Sequence, residues 1–246
     1  MPVTQPGERR WSAKVATGCR LTPMSEKSDA FDDAGLLSRV RADDYSDAIS
    51  YCEQALATGA PARYWRRQLA YCLFLDERGP MINQWERAPA TFEELVRDEP
   101  EDPDLRFWRG YLLTVALAGY DEPGLAELRR ALDLDPTHPY ANLVLAAHEE
   151  PREAIPFLER TLSAQPNNFR ALRYLASRYA AIGRTDHARQ TLALILEGPP
   201  FADEAAPLIL REYVNSVLTG AYWAEQTKAE VRDVLASDDR GAMIEY

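Results

Sequence analysis

The sequence predicts an all-α solenoid of about five antiparallel helix pairs followed by capping helices. Three observations carry this. Apolar residues recur three and four positions apart over segments of twelve to sixteen residues, and no convincing period-two strand occurs. A spacing motif also repeats: a small residue, a larger apolar residue four later, another apolar or small residue three beyond, and proline after five more. Ahead of each copy runs a second apolar stripe.

Four segments fit the motif completely: Ala88-Phe92-Leu95-Pro100, Gly124-Leu128-Ala131-Pro136, Ala154-Leu158-Thr161-Pro166 and Ala188-Leu192-Ile195-Pro200. A fifth, Ala48-Cys52-Ala55, meets its proline, Pro61, one residue late. The copies start at intervals of 40, 36, 30 and 34 residues. The small side chain permits close helix approach, the four- and seven-residue offsets keep one stripe on one face, and proline stops the helix.

The partner helices follow in order. Trp65, Leu69 and Cys72 precede Ala88, with seven residues beyond the regular spacing around Asp76 to Ile82, which should form a protruding turn. Trp108, Tyr111, Leu112 and Val115 precede Gly124. Between Ala146 and Ala154 the chain is four residues short, so the first helix of that pair should lose about one turn. Leu172, Leu175, Ala176 and Tyr179 lead to Gly183, a helix terminator. Beyond Pro200, Ala205 to Thr219 reads as a further helix. Trp223 to Leu235 reads as a last one, whose Val231, Val234 and Leu235 can cover the end of the stack. The expected organisation is a flexible tail at 1–27, a repeat array at 28–200, capping helices at 201–236 and a frayed end at 237–246.

These residues resemble the tetratricopeptide repeat family over about residues 30 to 200. Leu172 to Pro200 matches its spacing throughout, and Asp44-Tyr45-Ser46-Asp47-Ala48-Ile49 looks like its turn into a second helix. The resemblance implies a right-handed superhelix whose first helices line a concave groove, and a protein or peptide as partner. Leu112 stands where the family has a small residue, which should push that pair of helices slightly apart.

Composition narrows the function further. With 246 residues, 46% of them hydrophobic, the chain can bury a real core, and no run approaches the length of a membrane-spanning helix. The net charge of −11 argues against general nucleic-acid binding. Cys19, Cys52 and Cys72 lack CxxC spacing and stand with only His138, His148 and His187, so no metal or cofactor framework is visible. Cys52 and Cys72 fit buried positions in a reducing compartment, which places the protein in the cytoplasm. Val15 to Cys19 is a chance match to a lipoprotein cleavage site, and Met24 is an alternative start. No phosphate loop, nucleophile elbow or paired Cys and His arrangement occurs, so no enzymatic role is expected.

Of the 28 basic residues only Lys14, Lys27 and Lys228 are lysines. Arginine pairs recur at the starts of first helices: Arg63 and Arg66, Arg106 and Arg109, Arg170 and Arg173, with Tyr140 and Leu143 in the intervening repeat. Each pair spans one helical turn. Arg66, Arg109 and Arg173 have no acidic residue three or four positions away in their own helix. On the inward-facing first helix that the resemblance implies, they form a ladder for an acidic or carboxylate-bearing peptide, held by paired hydrogen bonds. Two other readings are a single-stranded RNA-binding repeat and a docking subunit of an enzyme or secretion complex. Trp85, in the longer second unit, is a candidate partner surface.

Overall fold

A computed structural model describes residues 31–116 and 121–237. The tail expected at 1–27, with Cys19, Met24, Lys14 and Lys27, lies outside these residues, as does all but Ser237 of the expected frayed end. The described chain is helical with no strand. Its first ten helices form five antiparallel pairs: α1 (Asp33–Arg41) with α2 (Tyr45–Ala57), α3 (Ala62–Leu75) with α4 (Ala88–Asp98), α5 (Pro103–Tyr111) with α6 (Asp121–Leu134), α7 (Pro139–His148) with α8 (Pro151–Ala164), and α9 (Phe169–Ala181) with α10 (Thr185–Glu197). Each pair stacks on the next, which makes an all-α solenoid.

The motif positions hold the pairs together. Ala48, Cys52, Ala88, Phe92, Leu128, Ala154, Leu158, Ala188 and Leu192 have no exposed surface. The backbones of three second helices, α4, α6 and α8, end alike: Glu99, Asp135 and Gln165 donate to carbonyls four residues back, at 2.9, 2.9 and 2.8 Å, and a proline follows each of them. First helices start alike too. Asp102, His138 and Asn168 occupy equivalent cap positions, and each accepts the backbone N–H three residues ahead. Gly183 closes α9 with a left-handed backbone (φ +82°), and Arg184 N–H reaches back to the Tyr179 carbonyl at 2.8 Å.

The irregular units resolve differently. Helix α7 has 10 residues against 14 in α3 and 13 in α9, the shortening expected there. Leu112 does not splay its pair. Helix α5 widens into a π turn at Leu112–Ala116, which takes Leu112 wholly into the core, while Gly110 and Gly124 let the two backbones approach. A Cβ at Gly110 would lie 2.8 Å from the Gly124 carbonyl oxygen. In the insertion, Asp76 is buried and accepts from Asn83 Nδ2 at 2.7 Å, and a π turn at Asn83–Arg87 leads into α4. That anchor leaves Met81, Ile82 and Trp85 on the surface.

The segment after Pro200 departs from expectation. Residues 201–210 are not helical. Asp203 accepts from the Ala205 and Ala206 amides in a tight turn, Pro207 supplies no N–H, and helix begins only at α11 (Arg211–Tyr213), continuing as a π turn over Val214–Leu218. The last helix, α12 (Ala224–Ser237), packs on α10 with Val231 buried against it.

Candidate functional site: a groove crossed by its own chain

The path of residues 201–220 decides what the hollow of the solenoid can hold. Phe201 N–H donates to the Asn167 carbonyl at 2.8 Å in the turn before α9. The segment returns to the same place, where Arg170 N–H donates to the Thr219 carbonyl at 3.1 Å and Asn168 Nδ2 to that of Leu218 at 3.2 Å. Between these feet the strap runs across the first helices of the earlier pairs. Ala206, Ile209, Leu210, Val214 and Leu218 are buried in one core with Tyr71, Phe74, Trp108 and Tyr111. The Tyr111 and Tyr213 hydroxyls meet at 2.8 Å, Phe74 packs edge-on to Tyr213, and the Tyr140 hydroxyl donates to the Asp203 carboxylate. Burial pushes the Tyr71, Tyr111, Tyr140 and Tyr213 hydroxyls above the usual phenol range, so each stays protonated and neutral.

Two tetratricopeptide repeat family profiles match this chain, over residues 82–139 and 145–209, together half of its length. The chain belongs to the tetratricopeptide repeat family. Its fold is similar to that of PilW, a widely conserved type IV pilus biogenesis factor (TM-score 0.53, 21% identity, 83% of this chain and 90% of that one). It is also similar to MamA (0.52, 19%, 65% and 91%) and to TTC0263, a thermophilic TPR protein of Thermus thermophilus (0.50, 20%, 75% and 96%). At such identities the likeness is one of fold. A curated relative, the antiviral innate immune response effector IFIT1 of Macaca fascicularis, is 29% identical over 128 residues, 47% of this chain, and the match spans about a quarter (26%) of that protein.

Within this tetratricopeptide frame the arginine pairs take three different positions. Arg63 bonds Glu99 and Arg66 bonds Asp98 at 2.9 Å, both at the end of the paired helix α4. Arg106 and Arg109 converge on Glu127 of α6 at 2.9 and 2.8 Å, the Arg106 and Glu127 side chains being only 11% and 12% exposed. These four therefore clasp the two helices of their own repeat, and the charge that Arg66 and Arg109 lack in their own helix comes from the next one. Their neighbours one position along, Tyr64, Arg67 and Phe107, line the hollow instead. Arg67 is held between Glu99 and Asp102. Helical rotation explains the offset, because one residue turns the side chain by about 100°. An open arginine ladder is thus not what α3 and α5 present.

The third pair differs. Arg170 and Arg173 line a cavity of about 350 Å³ with Trp223, Gln226 and Glu230. Arg173 faces Glu230 at 3.8 Å. The Arg170 guanidinium lies over the Tyr174 ring at 4.8 Å and has no carboxylate partner among the described residues. Tyr140, the remaining expected groove residue, does line the hollow, through its bond to Asp203. Leu143 is buried in the core of the later repeats.

Between the strap and the first helices remains a cavity of about 560 Å³. His138, Asp104 and Asp203 on its wall carry no sequence motif. Ala141 N–H donates to His138 Nδ1 at 3.1 Å, so Nδ1 is bare and Nε2–H donates to Asp104 at 3.1 Å. That hydrogen bond holds the Asp104 carboxyl below the usual carboxylate range. The signal available in the sequence was positional: His138 stands one residue before a helix-starting proline, as Asp102 does. Cys52 and Cys72 are both buried, and the hydrogen bond between them, with burial, pushes the Cys72 thiol up. Among the described residues no group of His, Cys, Asp and Glu could hold a metal ion, and no helix is long and apolar enough to cross a membrane.

Proposed function

We propose that the chain is a protein-interaction scaffold, not a catalyst, and that it holds an acidic or carboxylate-terminated peptide segment at the Arg170 and Arg173 end of its groove. The observation that carries this is the Arg170 guanidinium, lining a cavity with no carboxylate against it among the described residues. Guanidinium is the side chain suited to bidentate capture of carboxylate, and Trp223 beside it supplies an apolar wall. Arg63, Arg66, Arg106 and Arg109 give the array its stiffness in this reading, and Tyr140 keeps the strap in place.

The test is binding of an acidic peptide to the full chain and to Arg170→Glu. Affinity should fall about tenfold or more in the variant, the weight of one charge-assisted contact, with helicity unchanged. Equal affinity removes the assignment. RNA binding is disfavoured by the carboxylate partners of the other arginines as well as by the net charge of −11. The exposed Met81, Ile82 and Trp85 favour a second reading, a docking subunit of a larger assembly. In that case Trp85→Glu should abolish co-purification of a heteromer from the native host, whereas Arg170→Glu should not.

A further inference from the structure

We infer that the 560 Å³ cavity under the strap is a binding site for an alkylammonium group, a positively charged amine on an aliphatic stem. This is a second site, independent of the carboxylate site at Arg170, and of opposite charge preference.

Its walls are aromatic. Tyr64, Tyr71, Phe107, Trp108 and Tyr140 all line it, so an aliphatic stem entering it leaves water for ring surface. Its charge is negative. Asp33, Asp104, Asp135 and Asp203 also line it, and the one guanidinium among the described residues of the wall, that of Arg67, is held by its Nη2 between Glu99 and Asp102, while its buried Nε has no partner among the described residues. Two of the carboxylates keep an oxygen in reserve. Asp104 receives His138 on Oδ1, and Asp135 receives the Thr137 amide and hydroxyl on Oδ1, while Oδ2 of each has no donor among the described residues. Asp203, by contrast, is taken on both oxygens, by Tyr140 and by its own turn amides.

An independent observation comes from Tyr71. The residue is 3% exposed and lines this cavity, yet its hydroxyl has no hydrogen-bond partner among the described residues. Buried hydroxyls are ordinarily satisfied, and one left open toward a cavity points to a polar atom that arrives with a guest. An ammonium answers each feature. It donates to the spare oxygens and to the Tyr71 oxygen, and aromatic faces attract it where they would repel an anion.

The source of the amine, a lysine side chain of another protein or a free aliphatic amine, is separated by experiment. Titration calorimetry of the full chain uses pentylammonium, 1-pentanol, pentanoate and acetyl-Gly-Lys-Gly-amide. Pentylammonium should bind with a Kd below about 1 mM, and pentanoate should give no heat. Asp104→Asn, which keeps the shape and the acceptor for His138, should weaken pentylammonium about tenfold, and Tyr71→Phe should weaken it by a smaller factor. Arg170→Glu should leave it unchanged, which separates this site from the acidic-peptide site. A lysine peptide that binds tighter than pentylammonium identifies a partner protein, and one that binds no tighter identifies a free amine. Equal binding of pentylammonium and 1-pentanol, preference for pentanoate, or no heat with pentylammonium overturns the inference.

Discussion

The fifth helix pair and the strap contain similar residues and obey different rules. In α9 and α10 every motif position does the job its spacing assigns: Ala188 and Leu192 fill the pair, and Gly183 turns the chain. In the strap, Ala206, Ile209, Leu210, Val214 and Leu218 are spaced as on a helix and are just as buried, yet half of that run is not helical. A repeat is stabilised by its nearest neighbours, so local pattern suffices to specify it. A strap is stabilised by helices more than a hundred residues away in sequence, as the Tyr111–Tyr213 bond shows, and its backbone follows the hollow it fills.

That contrast can be broken by mutation. The largest effect belongs to the array: Leu192→Ala should cost about 3–5 kcal/mol in chemical denaturation and lower the stability of the whole solenoid. Val214→Ala in the strap should instead speed hydrogen exchange mainly within 201–220, and an equal loss across the array would show that the two regions are one cooperative unit. Next comes Glu127→Ala, which leaves Arg106 and Arg109 together without their shared carboxylate. It should cost about 3 kcal/mol, and restoring charge balance with Arg106→Leu should recover part of it.

Tyr140→Phe sharpens the comparison further, since it removes the hydroxyl that bonds Asp203 and keeps the ring. About 1–2 kcal/mol should be lost, seen as faster proteolysis near Asp203 with the array's helicity intact. The smallest effect concerns pH. His138 holds the Asp104 carboxyl below its ordinary range, so the stabilisation is present above that range and is lost as pH falls through the lowered value. Denaturation midpoints compared between about pH 5 and pH 3 should therefore fall more in the wild type than in His138→Asn, which keeps a capping oxygen.

Most of the array was legible in the sequence because its information is short-range. The motif prolines, Gly183 and the shortened α7 each follow from residues within one repeat. The groove was not legible for two physical reasons. One residue of helical phase separates Arg63, Arg66 and Arg106, which clasp second helices, from Tyr64, Arg67 and Phe107, which line the hollow, and apolar spacing does not fix phase that finely. A proline in the first turn is compatible with a helix, so Pro207 did not announce that residues 201–210 would run as turns and loop. Leu112 failed as an indicator for a related reason, because a π turn and the Gly110–Gly124 crossing absorb its bulk locally.

Both feet of the strap are tied to one place, the turn that enters α9, through Asn167, Asn168 and Arg170. The interior of this solenoid is therefore upholstered by a segment that enters and leaves at one turn, and side-chain changes between Phe201 and Thr219 alter its lining without touching the residues that join one repeat to the next.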